Sequence, residues 1–234
     1  MSVIAPACFL TAFLRKLDLM GNGQKPWVIA IGASGAQGLA DIQELLGALP
    51  KALPAIVMVV LHRLWDHPTK LQAVLSHRSA LPVVIASQGE CFKIGTVYIG
   101  EPSEHLTLAA DSFGVLISDP DRQHGNRTVD LLFKSVAEYA GARMIGVVLS
   151  GSLDDGSRGL AAIDDAGGLT MVLTPSLESG RGMPENAIGY DGPINLIGNP
   201  RQIANAIREA CMVPRGGGVI CRNWASPSRR SLKS

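Results

Sequence analysis

Two uninterrupted apolar runs of strand length, Trp27–Ile31 and Ala55–Leu61, flank a segment in which Leu39, Ile42, Leu45, Leu46 and Leu49 recur at helical spacing. A strand without polar alternation is buried on both faces, as a parallel strand covered by helices is. The interval is therefore a β-α-β unit, and it constrains the chain to a helix-covered sheet. Met144–Leu149 and Leu169–Leu173 are two further buried strands, separated by a helix over Ser157–Ala166. Arg127–Tyr139 sets Val129, Leu132, Phe133 and Val136 on one helical face, and Arg201–Cys211 reads as a last helix. Between Val83 and Ile117 the pattern changes. Short β-type pieces at Thr96–Ile99 and Gly114–Ile117, broken by Gly and Pro, predict hairpins. The expected fold class is α/β: a doubly wound, mostly parallel sheet with an antiparallel hairpin excursion.

Charge and composition narrow the rest. The 234 residues are 47% apolar and 18% charged, a globular profile, and the net charge of +1 excludes a strongly basic nucleic-acid binder on bulk electrostatics. No run approaches the ~18 apolar residues of a membrane span. In the apolar stretch Val3–Leu14 the charges Arg15 and Lys16 follow rather than precede, the reverse of a signal peptide. The four cysteines, Cys8, Cys91, Cys211 and Cys221, form neither a C-x-x-C pair nor a zinc-finger spacing. A cytoplasmic protein is expected, with neither membrane insertion nor a metal. Residues 1–26 end in Gly-Asn-Gly-Gln-Lys-Pro and read as an N-terminal extension. Residues 27–212 read as one folded domain, and 213–234 as a disordered tail with five basic and no acidic residues, dispensable for folding.

In sheets of this class functional groups collect at the carboxyl ends of strands. The first strand runs into Gly32-Ala33-Ser34-Gly35-Ala36-Gln37-Gly38, the second into His62-Arg63, and the strand ending at Leu149 into Ser150-Gly151-Ser152-Leu153-Asp154-Asp155-Gly156. A hydroxyl, an imidazole and a carboxylate thus arrive by independent routes. That is the inventory of an activated nucleophile, since Ser needs a base and the base an orienting anion. The remaining histidines, His67, His77, His105 and His124, lack metal-ligand spacing and read as surface or loop residues. Asp130, Asp164 and Asp165 read as solvated or capping.

The first loop carries a second reading. Gly32, Gly35 and Gly38 form a series like the NADP-binding turn of atypical short-chain reductases, where glycines admit a pyrophosphate to a helix N-terminus. Arg63 would suit a 2′-phosphate. Against this, no Tyr is followed by Lys at the spacing of a reductase pair. Ser34 is also outside a G-x-S-x-G elbow, because position 36 is Ala.

Five stretches taken together resemble the catalytic domain of chemotaxis protein-glutamate methylesterases. They are Val28–Ser34, Val59–His62, Thr128–Ala137, Gly146–Gly151 continuing to Asp154-Asp155-Gly156, and Gly182–Ala187, collinear from about Trp27 to Cys211. The resemblance implies a Ser34–His62–Asp155 triad and hydrolysis of glutamyl methyl esters on chemoreceptor helices, with glutamine deamidation in some members. Asp155 is the Asp directly before Gly, with Asp154 the fallback. No cofactor is needed for such chemistry. Backbone amides near Gly35 and Ser152 are the oxyanion candidates, and Arg63 would border a shallow substrate groove.

The sequence departs from the family pattern in four places. The usual Ser-Thr-Gly-Gly is Ser34-Gly35-Ala36-Gln37, the Met-Pro-Pro after the histidine is Arg63-Leu64-Trp65, and a frequent Met is Ser152. The 26 residues before Trp27 are too few for a receiver domain, so any phosphorylation control is expected from a separate response regulator.

Overall fold

The computed structural model describes residues 25–63, 70–119, 121, 124, 127–152, 154–176, 182–190 and 192–212. The N-terminal extension up to residue 24 and the basic tail from 213 lie outside the described residues, as does His67.

Seven parallel strands form the main sheet. They are β1 (Trp27–Ser34), β2 (Ala55–His62), β3 (Val83–Ile85), β4 (Thr96–Ile99), β7 (Met144–Val148), β8 (Leu169–Leu173) and β9 (Leu196–Gly198), in the spatial order β3-β4-β2-β1-β7-β8-β9. The hairpin β5 (Glu104–Leu108) and β6 (Gly114–Ser118) forms a separate antiparallel pair. The helices are α1 (Gly35–Ala48), α2 (Leu71–Ser76), α3 (Thr128–Tyr139), α4 (Ser157–Asp165), α5 (Met183–Gly189) and α6 (Pro200–Met212).

The period-two side-chain alternation of the strands sorts the core into two layers. Ile29, Ile31 and Ala33 of β1 and Val57 and Val59 of β2 face α1 and α6, meeting Ile42, Leu45, Leu46, Ile203 and Ile207. Val28, Ala30, Ile56, Met58 and Val60 face the other way, onto Val129, Leu132, Phe133 and Val136 of α3, Leu160 and Ile163 of α4, and Met183 of α5. Each of these large side chains contributes about 1.5–3 kcal/mol on burial. Helices on both faces give the doubly wound architecture expected.

The middle of the chain differs from the expectation in one respect. Thr96–Ile99 is an inner parallel strand, paired with β2 on one side and β3 on the other, and not part of a hairpin. The Gly and Pro around it mark tight connections, so a four-residue strand gave no periodicity to separate it from hairpin strands. The hairpin itself is confined to β5 and β6. It turns through Asp111 and Ser112, both at positive φ, and is tied to α3 by a bond from the Leu108 amide to Ser135 Oγ at 2.9 Å. His105, read as a surface or loop residue, is buried on β5 and pairs with Asp119 at 3.0 Å.

Candidate active site

Ser34 is the last residue of β1 and holds extended backbone (φ −143°, ψ 143°), whereas Gly35 turns to φ +71° and α1 begins there. An L-side chain at that φ costs about 1–2 kcal/mol, so the one-residue strand-to-helix turn calls for glycine. Ser34 stands at the N-cap position, yet among the described residues its hydroxyl makes no capping bond to α1. Its amide donates to the Ser150 carbonyl at 2.8 Å, which joins the end of β1 to the loop after β7.

His62 ends β2, and Ser34 and His62 are register partners across the β1–β2 ladder. By the same alternation both side chains lie on the α3 face of the sheet. His62 Nε2 lies 2.6 Å from Asp155 Oδ2. Asp155, in the loop between β7 and α4, is 1% exposed and also accepts from the amides of Val129 (2.8 Å, Oδ2) and Asp130 (2.9 Å, Oδ1). Those amides open α3, where four N–H groups have no intrahelical acceptor and the helix dipole is positive. Asp155 therefore caps α3, not the α4 that follows it in sequence. Asp154 is exposed, so the two adjacent carboxylates differ sharply in environment. With Nε2 facing the carboxylate, Nδ1 is the ring nitrogen left to receive a proton.

Sequence reasoning missed several supports of this site. Asp41 of α1 is buried, accepts from the Ser150 amide at 3.3 Å and is held by Gln37 at 3.0 Å. The Met183 amide donates to the Gly151 carbonyl at 2.7 Å, and the Gly182 amide to Glu185 Oε2 at 2.9 Å. A Cβ on Gly151 would overlap Met183 Sδ and come 2.7 Å from Ser34 Cβ, so the start of α5 presses against the nucleophile turn. In the sequence Asp41 shows only as an acid set between the apolar Leu39 and Ile42 of the helical pattern, and its partner Ser150 is 109 positions away.

The glycine series has a packing role at two of its three positions. A Cβ on Gly32 would overlap Val129 of α3, and one on Gly38 would meet the Ser150 carbonyl at 2.7 Å and Ala33 Cβ at 2.9 Å. These glycines bring helices onto β1, and only Gly35 faces open space. Ser152 is exposed beside Gly151. Arg63 is half-buried and turned toward β4, its Nη2 donating to the Gly100 carbonyl at 2.6 Å, while burial pulls its pKa down and nearby Glu101 opposes this. Its Nε and Nη1 are enclosed and have no hydrogen-bond partner among the described residues. Among those residues no group of three or more His, Cys, Asp or Glu is placed to hold a metal, and no helix is long and apolar enough to cross a membrane.

A family model described as CheB methylesterase matches residues 29–207. A protein-glutamate methylesterase/protein-glutamine glutaminase of Cupriavidus pinatubonensis is 36% identical over 184 residues, covering 79% of this chain and 53% of its own length. One from Pseudomonas syringae pv. syringae is 32% identical over 169 residues, covering 72% and 50%. The chain thus spans about half the length of these relatives. The crystal structure of the Thermotoga maritima CheB methylesterase catalytic domain superposes with a TM-score of 0.70 at 27% identity, covering 80% of this chain and 98% of that one. The family match across most of the sheet, together with the shared fold, shows that this chain belongs to the CheB methylesterase family.

Proposed function

We propose that the chain is a serine-type carboxylic-ester hydrolase that removes methyl groups from glutamyl methyl esters on chemoreceptor helices, and deamidates glutamine through the same acyl intermediate. One observation carries the reading. Ser34 and His62 are paired at the carboxyl ends of adjacent strands, and the imidazole is tied at 2.6 Å to the buried Asp155.

Ser34 Oγ attacks the ester carbonyl as His62 Nδ1 takes its proton, and Asp155 stabilises the imidazolium and fixes the ring. The proton then passes to the departing methoxide, methanol leaves, and water repeats the attack on the acyl-enzyme. With an amide substrate ammonia leaves instead. The Gly35 and Ser152 amides serve the oxyanion, each worth about 3 kcal/mol if one such donor is lost. Arg63 borders the proposed groove, and its guanidinium, enclosed against β4 with Nη2 on the Gly100 carbonyl, would have to swing outward to meet an acidic receptor helix. The family resemblance alone adds a separate response regulator as a candidate partner.

Methanol release from a methylated receptor membrane preparation tests the reading. Wild-type protein is expected to release methanol and Ser34→Ala to release none, with the fold unchanged by circular dichroism. Full turnover by the folded Ser34→Ala variant would remove Ser34 from the mechanism. Turnover of small esters without methanol release would leave an esterase of another substrate class.

A further inference from the structure

We propose that Asp130 is a positioning residue for Asp155, acting through an exchange of helix caps between α3 and α4. The inference rests on the esterase reading for its effect on turnover, but its geometry stands apart from it. Asp130 lies in the first turn of α3, and its own amide is one of the two that hold the Asp155 carboxylate. Its carboxylate reaches the other way. Oδ1 accepts from the Gly156 amide at 3.1 Å and from the Gly159 amide at 2.7 Å, both at the start of α4. Asp155 is thereby gripped twice by one residue, at its carboxylate and at the peptide that follows it.

The backbone is built for this grip. Gly156 sits at φ +95°, a left-handed conformation that L side chains rarely adopt. A Cβ on Gly159 would come 2.5 Å from Phe133 Cβ and 3.1 Å from the Asp130 carbonyl oxygen, so glycine lets α4 approach α3 closely enough for Asp130 to reach both amides. Asp130 is 3% exposed, and the cations near it are on the surface: Arg127 Nη1 lies 3.7 Å away on a half-exposed side chain, and Lys134 is exposed. Burying a carboxylate with so little charge compensation is costly. The hydrogen bonds it makes are directed at the loop that carries Asp155, and misplacing a reacting group by about 1 Å costs on the order of a hundredfold in rate.

Three variants and two readouts test this in the full-length protein. Asp130→Ala removes both acceptor bonds, and is expected to lower kcat by about ten- to a hundredfold while KM stays within about threefold. Asp130→Asn keeps an acceptor oxygen for the two amides, and is expected to restore kcat to within about tenfold of wild type. Should Asp130→Ala fail to fold, Asp130→Ser, whose hydroxyl is too short to span both amides, takes its place. The second readout is the downfield proton NMR signal of the His62 Nε2–H bonded to Asp155. It should persist in Asp130→Asn and shift or vanish in the Ala or Ser variant, which a purely structural role would not cause in a protein that remains folded. Wild-type kcat in the folded Ala or Ser variant, an unmoved His62 signal there, or equal damage from Asn and Ala would each overturn the proposal. If wild-type protein hydrolyses no ester, the functional reading fails, and the His62 signal still decides the positioning role.

Discussion

Ser34 and His62 are register partners on β1 and β2, so their spacing is set by the ladder between two parallel strands and not by the reach of either side chain. Neighbouring strands lie about 4.8 Å apart, close enough for a hydroxyl and an imidazole to meet. His62→Gln should leave that ladder intact. It should lower kcat on a chromogenic ester by 10²–10⁴-fold, the usual worth of a general base, with Tm nearly unchanged by calorimetry. A large fall in Tm would mean that His62 is chiefly a packing residue.

Asp155→Asn should behave differently, because Asp155 serves the fold as well as the imidazole. Three donors converge on its two oxygens. An amide side chain offers one acceptor and turns a donor toward the rest, leaving a buried N–H unpaired at a cost of about 1–3 kcal/mol. For a domain of this size each kcal/mol moves Tm by roughly 2–4 °C. The expected variant is both slow, by about 10⁴-fold as for comparable triads, and less stable than His62→Gln. Equal Tm for the two variants would contradict the capping of α3 by Asp155.

The legible part of this molecule was what is written locally. Strands buried on both faces appear as the runs Trp27–Ile31 and Ala55–Leu61, and amphipathic helices such as α3 appear through Val129, Leu132, Phe133 and Val136. Ser34 and His62 were legible as strand-end residues, and Asp155 as a carboxylate in the loop after β7. What stayed hidden depends on partners distant in sequence. Asp130 and Asp155 are 25 positions apart, and Asp41 lies 109 positions from Ser150. No spacing rule links such pairs until the sheet order is known. The glycine series misled for a related reason: at Gly32 and Gly38 the need for glycine comes from a helix and a carbonyl belonging to other segments.

Gly151→Ala tests how closely the nucleophile turn is packed. The added methyl would overlap Met183 Sδ and crowd Ser34 Cβ, and Met183 is fully buried. Overpacking of this kind costs about 1–3 kcal/mol, and here part of that strain falls on Ser34. A loss of kcat on the order of tenfold or more is expected, together with slower labelling of Ser34 by a fluorophosphonate. Wild-type labelling would show that the start of α5 moves aside freely.

Asp130→Asn also makes a pH-dependent prediction. Burial raises the Asp130 pKa, the nearby Asp155 charge raises it further, and the Gly159 and Gly156 amides and Lys134 oppose the rise. The folded protein then holds the proton more tightly than the unfolded chain. As pH rises from the ordinary Asp range, near 4, through the raised value, this group makes unfolding progressively easier. A neutral Asn avoids that cost, and the Arg127 contact it gives up is a weak, half-exposed one. The buried Nδ2–H that Asn introduces lowers Tm by an amount that does not depend on pH, so the Tm of the variant relative to wild type should be lowest near pH 4 and rise toward neutral pH. A Tm gap that is constant between pH 4 and 7 would show that Asp130 does not titrate in this way.

Arg63 separates a binding role from a bracing one. Its Nη2 is committed to the Gly100 carbonyl at the end of β4, while Nε and Nη1 are enclosed and lack partners among the described residues. An unpaired buried donor is costly, so each such group calls for a specific explanation. If an acceptor on the receptor helix supplies the missing partner, Arg63→Ala loses a charge-assisted bond of about 1.5–3 kcal/mol. This loss is felt equally in the ground state and the transition state, so KM should rise on the order of tenfold or more with kcat little changed. Raising the ionic strength should weaken wild-type binding and affect the variant less, because screening acts on the charge that was removed. Arg63→Lys keeps the charge without the planar fork and should recover the salt dependence but not the full affinity. The bracing role has a different signature: a lower Tm for Arg63→Ala, from the loss of the tie between β2 and β4, with KM unmoved.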